Sequence, residues 1–138
     1  MITIADRGGR GSMRLSSVAE AGHERGRMDA ERERRIGLNE SVLREVNERI
    51  EQAADSFGLG DQPLNLVCEC GDPTCVAQIT MTPSEYESLR AEPTHFAVAP
   101  GHEIADVEQV VERRKGYDVI RKHEGDPAGI ARETDPRG

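Results

Sequence analysis

The sequence predicts an α+β fold in which a long N-terminal helix packs on a small antiparallel sheet. Three observations carry this prediction: a helical apolar period over residues 39–57, strand-like alternation over residues 64–70, and turn-forming residues directly after that strand. The chain has 138 residues, of which 36% are hydrophobic and 3% aromatic. This length and composition fit one modest domain with loose ends.

The predicted domain occupies residues 29–123. Residues 1–28 are rich in Gly, Ser and Arg and lack a sustained apolar period, which predicts a disordered N-terminal extension. Such a segment can also bind RNA or anionic lipid, but its interspersed acids and missing aromatics disfavour that role. Residues 124–138 carry several Gly and Pro and are predicted to form a flexible C-terminal tail. Better-organised sequence begins at Met28, which leads to the hypothesis that translation starts there.

The formal net charge is −8, with 26 acidic against 18 basic residues. A generally basic surface for nucleic acid is therefore not expected. No apolar run approaches the roughly 20 residues that span a bilayer, and the N-terminus lacks the pattern of a secretory signal. The sequence therefore predicts no membrane association and a cytoplasmic location.

The predicted helix over residues 39–57 has apolar residues at helical spacing with polar residues opposite them. Two acid–base pairs four residues apart, Glu40/Arg44 and Glu45/Arg49, support the helix. In a small domain, the single apolar stripe of a helix is usually the part of that helix that packs in the core, so the stripe is expected to face the sheet. The alternative is that the stripe forms a dimer interface. The stripe consists of Val42, Leu43, Val46, Ile50, Ala53, Ala54 and Phe57.

The remaining elements follow from turn and capping signals. A turn at residues 71–74 separates the strand over 64–70 from a second strand over 76–81. Thr82 with Glu85 forms a predicted capping box that opens a short helix, and a short strand precedes a turn at residues 100–102. Residues 104–122 partly fit a helix but favour a hairpin with its turn at residues 114–116.

Three thiols, Cys68, Cys70 and Cys75, lie within eight residues on a strand and its turn. Thiolates at such spacing can share one soft or borderline cation, and zinc is the natural candidate. The segment is therefore read as a zinc-knuckle-like turn. A structural site needs a fourth ligand, for which His102 in its turn is preferred to His95, which must compete with strand geometry. Asp72 and Glu69 are fallback oxygen ligands.

Two other interpretations of the thiols stay open. They can be buried structural cysteines, or Cys70 and Cys75 can form a redox switch across the turn. Acidic neighbours raise thiol pKa values, which favours metal over redox chemistry. The common catalytic motifs are absent, so an enzyme is disfavoured. A three-cysteine zinc site with a bound water and Glu103 as base is the catalytic alternative.

Four segments of the chain resemble a family of small uncharacterised actinobacterial proteins. These segments are residues 44–50, the knuckle 67–75, residues 85–87 and the turn 98–103. The likeness covers residues 28–138. It implies that Cys68, Cys70, Cys75 and His102 together form the site of the family, and that Met28 lies near its usual start. The family brings no assigned activity.

The predicted function is a small zinc-stabilised binding or regulatory module that acts through contacts with another protein. The partner, its pathway and the oligomeric state do not follow from the sequence. A thiol-based redox or zinc sensor and a small zinc metalloenzyme are the alternatives. A bound metal fits the low aromatic content, because a domain with a weak core gains folding free energy from metal binding.

Overall fold

The computed structural model describes the backbone of residues 11–137 and the side chains of residues 29–137. Contacts divide the chain into two units, residues 1–32 and residues 33–138. Helix α1 spans Gly11–Ser56. Of the predicted disordered extension, residues 1–10 lie outside the described residues, whereas residues 11–28 have a helical backbone.

The second unit is an α+β fold, as predicted, with the C-terminal part of α1 packed on two small antiparallel sheets. Strands β1 (Leu64–Val67) and β2 (Gln78–Met81) form the first sheet. The second sheet has the order β3-β5-β4, from β3 (His95–Val98), β4 (Glu108–Arg114) and β5 (Tyr117–Lys122). The predicted hairpin is therefore confirmed.

Helix α2 (Pro83–Arg90) begins at the predicted capping box. The Glu85 backbone N–H donates to the Thr82 hydroxyl, and the Glu85 carboxylate accepts from the Thr82 backbone N–H. Its Tyr86 and Leu89 enter the core. The core lies between the sheets, α2 and one face of α1, and its largest fully buried apolar side chains are Leu66, Ile79, Met81, Tyr86, Phe96 and Ile120.

The face of α1 that packs on the domain is polar, which differs from the sequence prediction. Val42 is 60% exposed, Val46 is 38% exposed and Phe57 is 80% exposed, so most of the predicted core stripe faces away from the domain. The buried positions are Ile36, Gly37, Glu40, Arg44, Asn47, Glu48 and Ala54, of which only Ala54 belongs to the predicted stripe. These polar side chains can be buried because each finds hydrogen-bond or ionic partners in the domain.

The predicted flexible tail over residues 124–138 is corrected by the structure. Helix α3 (Asp126–Glu133) occupies this segment and buries Ala128, Ile130 and Ala131. It approaches α1 closely at Gly37, where an added Cβ would lie 2.6 Å from Ile130 Cγ2. Beyond it, the Arg137 guanidinium donates to the Glu48 and Glu87 carboxylates, which anchors the described end of the chain. Burial of an apolar helix face and these ionic contacts explain the order of the segment.

Candidate metal centre

The first part of the site is the turn that follows β1. The strand pairing continues one step past Val67, because the Cys68 backbone N–H donates to the Ala77 carbonyl at 3.1 Å. The chain then reverses through Gly71, which has φ +68°, a conformation that favours glycine. Asp72 closes the turn by accepting hydrogen bonds from the Thr74 backbone N–H and hydroxyl. Cys75 is thereby returned towards Cys68 and Cys70.

The second part is the loop after β3. The His102 backbone N–H donates to the Ala99 carbonyl at 3.0 Å, which forms a tight turn through Gly101 at φ +82°. The Gly101 backbone N–H donates to the Asp118 carboxylate on β5. The loop is therefore tied to β5 through the backbone of its turn, and the His102 side chain projects towards the cysteines.

The ligand atoms of Cys68, Cys70, Cys75 and His102 all lie within 4.8 Å of one another. The predicted grouping of these four side chains is thus confirmed. His102 Nδ1 lies 3.6 Å from Cys68 Sγ and 3.6 Å from Cys75 Sγ. Cys68 and Cys70 are buried and Cys75 is half-buried, so the cluster has a buried base and a more open side.

The residues kept as alternative ligands lie outside this cluster. His95 stands on β3, where its backbone N–H donates to Glu92 and partial burial lowers its pKa. The Asp72 carboxylate accepts hydrogen bonds from Thr74 within its own turn. Glu69, although it lies between two of the cysteines in sequence, points into the interior and is fully buried. His102 is therefore the imidazole that the fold brings to the thiols.

The environment of the thiols disfavours a free thiolate. Burial raises the pKa of Cys68 well above its usual range, although the Ala99 backbone N–H donates to its sulfur at 3.1 Å and opposes that shift. Burial likewise raises the pKa of Cys70. Neutral Cys68 and Cys70 thiols are the expected state until a cation supplies the charge that removes their protons. All three cysteines are free rather than disulfide-bonded.

A buried polar clamp, formed by Asn47 and Glu69, holds the knuckle against the rest of the domain. Asn47 Nδ2 donates to the Val67 carbonyl at 2.9 Å and to Glu69 Oε2 at 2.7 Å, while its Oδ1 accepts from the Val67 backbone N–H at 2.8 Å. Glu69 Oε1 accepts from the Ala97 backbone N–H on β3 at 3.0 Å. The clamp therefore links α1, the knuckle and β3, from which the His102 loop departs.

Sequence reasoning missed this positioning role. The strand alternation places the Glu69 side chain on the face opposite to that of Cys68 and Cys70, and this is the one sequence signal for its different role. It could not show that this carboxylate turns inward, because the partners Asn47 and Ala97 are distant in sequence.

A separate cavity of about 620 Å³ lies between the end of α1 and the start of α2. Its lining includes Glu51, Asp55 and Glu87 and none of the four clustered residues. Burial and a nearby Glu87 raise the pKa of Glu51 to about 7. This cavity offers no substrate space beside the thiols.

Comparison with protein-family models, curated proteins and solved structures yields no match for this chain. The resemblance to small actinobacterial proteins therefore remains a prediction, while the cysteine–histidine grouping that it implies is present in the fold. Within the part of the chain that the structure describes, no helix combines the length and apolar character required to cross a bilayer.

Proposed function

We propose that the chain is a zinc-stabilised module that acts through contacts with another protein. The observation that carries the metal part is the 3.6 Å separation of His102 Nδ1 from two thiol sulfurs. A tetrahedral zinc with Zn–S of about 2.3 Å and Zn–N of about 2.0–2.1 Å requires S···N separations of about 3.6 Å. The donor set, three sulfurs and one imidazole nitrogen, is also one that structural zinc prefers.

The proposed zinc has a structural rather than a catalytic role. Three cysteines and His102 would fill all four tetrahedral positions of a bound zinc, which would leave no open position for water or substrate. The metal would join the knuckle after β1 to the loop after β3, two segments that belong to different sheets. A cross-link of this kind contributes its binding free energy to folding. The metalloenzyme alternative is therefore not favoured.

The protein-binding part rests on an exposed apolar surface. We define the α1 stripe as Leu38, Val42, Val46 and Ala53, on one side of the end of α1, together with Phe57 directly after the helix; all five are exposed. Exposed contiguous apolar surface is a common mark of a protein interface. A cytoplasmic location belongs to the same proposal, because reducing conditions keep the three thiols available for metal.

The experiment is elemental analysis of the chain purified without chelator, together with thermal unfolding before and after chelation. We expect about one zinc per wild-type chain and a lower melting temperature after chelation. His102→Ala should lose most of the metal, whereas the matched control His95→Ala, which removes an imidazole outside the cluster, should retain it. Metal-free wild-type protein, or equal loss in both variants, would contradict the proposal.

A zinc or redox sensor is the second candidate, and the half-buried Cys75 favours it. The sulfur of this residue lies on the more open side of the cluster, where an oxidant or chelator can reach it. If the site is a sensor, mild peroxide should release zinc and reductant should allow its return. If zinc stays bound until the domain unfolds, the sensor role is rejected and only the structural role remains.

A further inference from the structure

The base of the knuckle lies directly against α1. Asn39 Nδ2 donates to the Gly71 carbonyl at 3.1 Å, and Asn47 hydrogen-bonds both the backbone N–H and the carbonyl of Val67. The two asparagines are separated by about 12 Å along the helix, at about 1.5 Å per residue. They therefore hold both ends of the short segment that carries two of the proposed ligands.

Gly71 allows this close contact. A Cβ at this position would lie 2.8 Å from Ile36 Cγ2 and 3.1 Å from the Ile36 carbonyl oxygen, so the knuckle backbone touches α1 there. Gly71 directly follows Cys70, so the packing against α1 and the placement of a ligand share one stretch of chain. A shift of the Cys70 backbone would therefore disturb the packing of Gly71 on α1 and its hydrogen bond to Asn39.

The outer part of the knuckle buries little surface. Asp72, Pro73, Thr74 and Val76 are exposed, and the exposed fraction of Val76 is 91%. A segment with few buried apolar contacts is among the first to open locally. A metal bound by Cys75 and the two buried cysteines would supply the missing constraint. Its effect would reach α1 through the base of the knuckle.

Other polar contacts of α1 do not involve the knuckle. Arg44 donates to two carbonyls outside it, and Glu40 pairs with Lys122 on β5. Loss of the knuckle contacts would therefore loosen the buried face of α1 locally rather than release the helix.

We infer that zinc binding at the knuckle and the docking of α1 residues 36–47 on the domain stabilise each other. This coupling rests on the proposed zinc site and makes α1 the element that responds to its occupancy. Linkage makes the coupling reciprocal, so the factor by which docked α1 strengthens zinc binding equals the factor by which zinc strengthens docking. The metal is thereby connected to the helix that carries the α1 stripe.

The first test measures the coupling from the side of the metal. The zinc dissociation constant of the full chain is measured under reducing conditions by competition with a chromophoric chelator. Asn39→Ala, which removes the hydrogen bond to Gly71, should raise this constant about 5–10-fold, as for a typical coupling between two sites. Ser41→Ala is the matched control, because the Ser41 hydroxyl donates to the Leu38 carbonyl within α1, and it should leave the constant unchanged.

A merely structural contact predicts a different result. Asn39→Ala would then lower the free energy of unfolding equally in the metal-free and zinc-loaded chains, with unchanged zinc affinity. We expect the zinc-loaded chain to lose more, by the amount that corresponds to the change in dissociation constant. Urea denaturation of both forms measures the two losses, and equal losses would overturn the inference.

The second test measures the coupling from the side of the helix and needs no variant. Hydrogen exchange followed by mass spectrometry compares the zinc-loaded chain with the chain stripped by chelator and kept reduced. Amides of residues 36–47 should exchange at least about threefold faster without metal, whereas α2, which carries no proposed ligand, should change little. Equal exchange of residues 36–47 in both states, or the same acceleration in every element, would contradict the coupling.

Zinc content is measured on the same samples. A chain that binds no zinc rejects the proposed metal centre and the coupling with it. A chain that binds one zinc but shows identical α1 exchange in both states rejects the coupling and leaves the metal centre intact.

Discussion

Beyond residue 35, one face of α1 is buried and the opposite face is exposed to solvent. The face that packs on the domain carries Glu40, Arg44 and Asn47, each fully buried. The opposite face carries Leu38, Val42 and Val46, each exposed. Hydropathy alone would assign these faces the other way round. The comparison shows that a helix can be held by specific polar contacts while its apolar side stays available for another purpose.

The buried face is held by directed interactions rather than by apolar area. The Arg44 guanidinium donates to the Pro93 and Ala131 carbonyls at 2.6 and 2.8 Å and lies over the Phe96 ring, 4.4 Å from its centroid. Lys122 Nζ lies 2.8 Å from carboxylate oxygens of both Glu40 and Glu108. These contacts reach β3, β4, β5, α3 and the loop after α2. Their loss should therefore affect the whole domain.

The largest effect is expected from Arg44→Ala. The change leaves two carbonyls unpaired and opens a cavity beside Phe96, which should lower the free energy of unfolding by about 3–5 kcal/mol. Urea denaturation followed by circular dichroism measures this difference. Arg49→Ala, on the exposed side of the same helix, is the control and should change little. Equal effects of the two substitutions would contradict the assignment of the buried face.

A smaller loss is expected from Asn47→Ala, which removes three hydrogen bonds of the clamp. The unpaired Val67 groups and Glu69 carboxylate should cost about 2–3 kcal/mol in unfolding free energy. Zinc affinity should also fall, because the clamp orients the knuckle. Asn65→Ala, at an exposed position on β1, is the control for both readouts. Unchanged zinc affinity in a destabilised Asn47→Ala chain would limit the clamp to a purely structural role.

The pH dependence of stability provides a third prediction. Burial, and then the nearby Glu108 carboxylate, raise the pKa of Glu40 well above its usual range. The folded state therefore favours protonated Glu40, and this contribution to stability is lost as pH rises through the folded pKa. Glu40→Gln removes the titration, so unfolding free energy should decline less with rising pH than in wild type. Urea titrations at several pH values measure the slope, and an unchanged slope would contradict the prediction. Glu45→Gln serves as the exposed control.

The smallest effect is expected on the exposed face. Val42→Ser should change the unfolding free energy of the dilute, monomeric chain by less than about 0.5 kcal/mol, because its side chain makes little contact with the domain. A large loss of stability in dilute solution would mean that the α1 stripe packs against its own domain.

Local signals explain what the sequence could predict. The capping box of α2, the hairpin of β4 and β5 and the knuckle turn each depend on residues close in the chain, and each is present. The grouping of His102 with the cysteines was also accessible, since a turn histidine was the ligand candidate free of strand geometry. The spacing of the cysteines and the position of His102 in a turn therefore predict most of the site.

The missed features depend on contacts between distant residues. The burial of Arg44 requires carbonyls of Pro93 and Ala131, and the helix in the predicted tail requires the close approach that Gly37 permits. Neither dependence has a local sequence signature. Consequently the sequence predicts that the apolar stripe enters the core and that residues 124–138 form a flexible tail, whereas the structure exposes most of the stripe and places α3 in the tail.

The central claim, a structural zinc held by three thiolates and one imidazole, is tested most directly by X-ray absorption at the zinc edge of the loaded chain. The account predicts three sulfur neighbours at about 2.3 Å and one nitrogen at about 2.0–2.1 Å. His102→Ala should lose the nitrogen contribution or the metal itself. A first shell made of oxygen and nitrogen, or a wild-type chain that binds no zinc, would contradict the account.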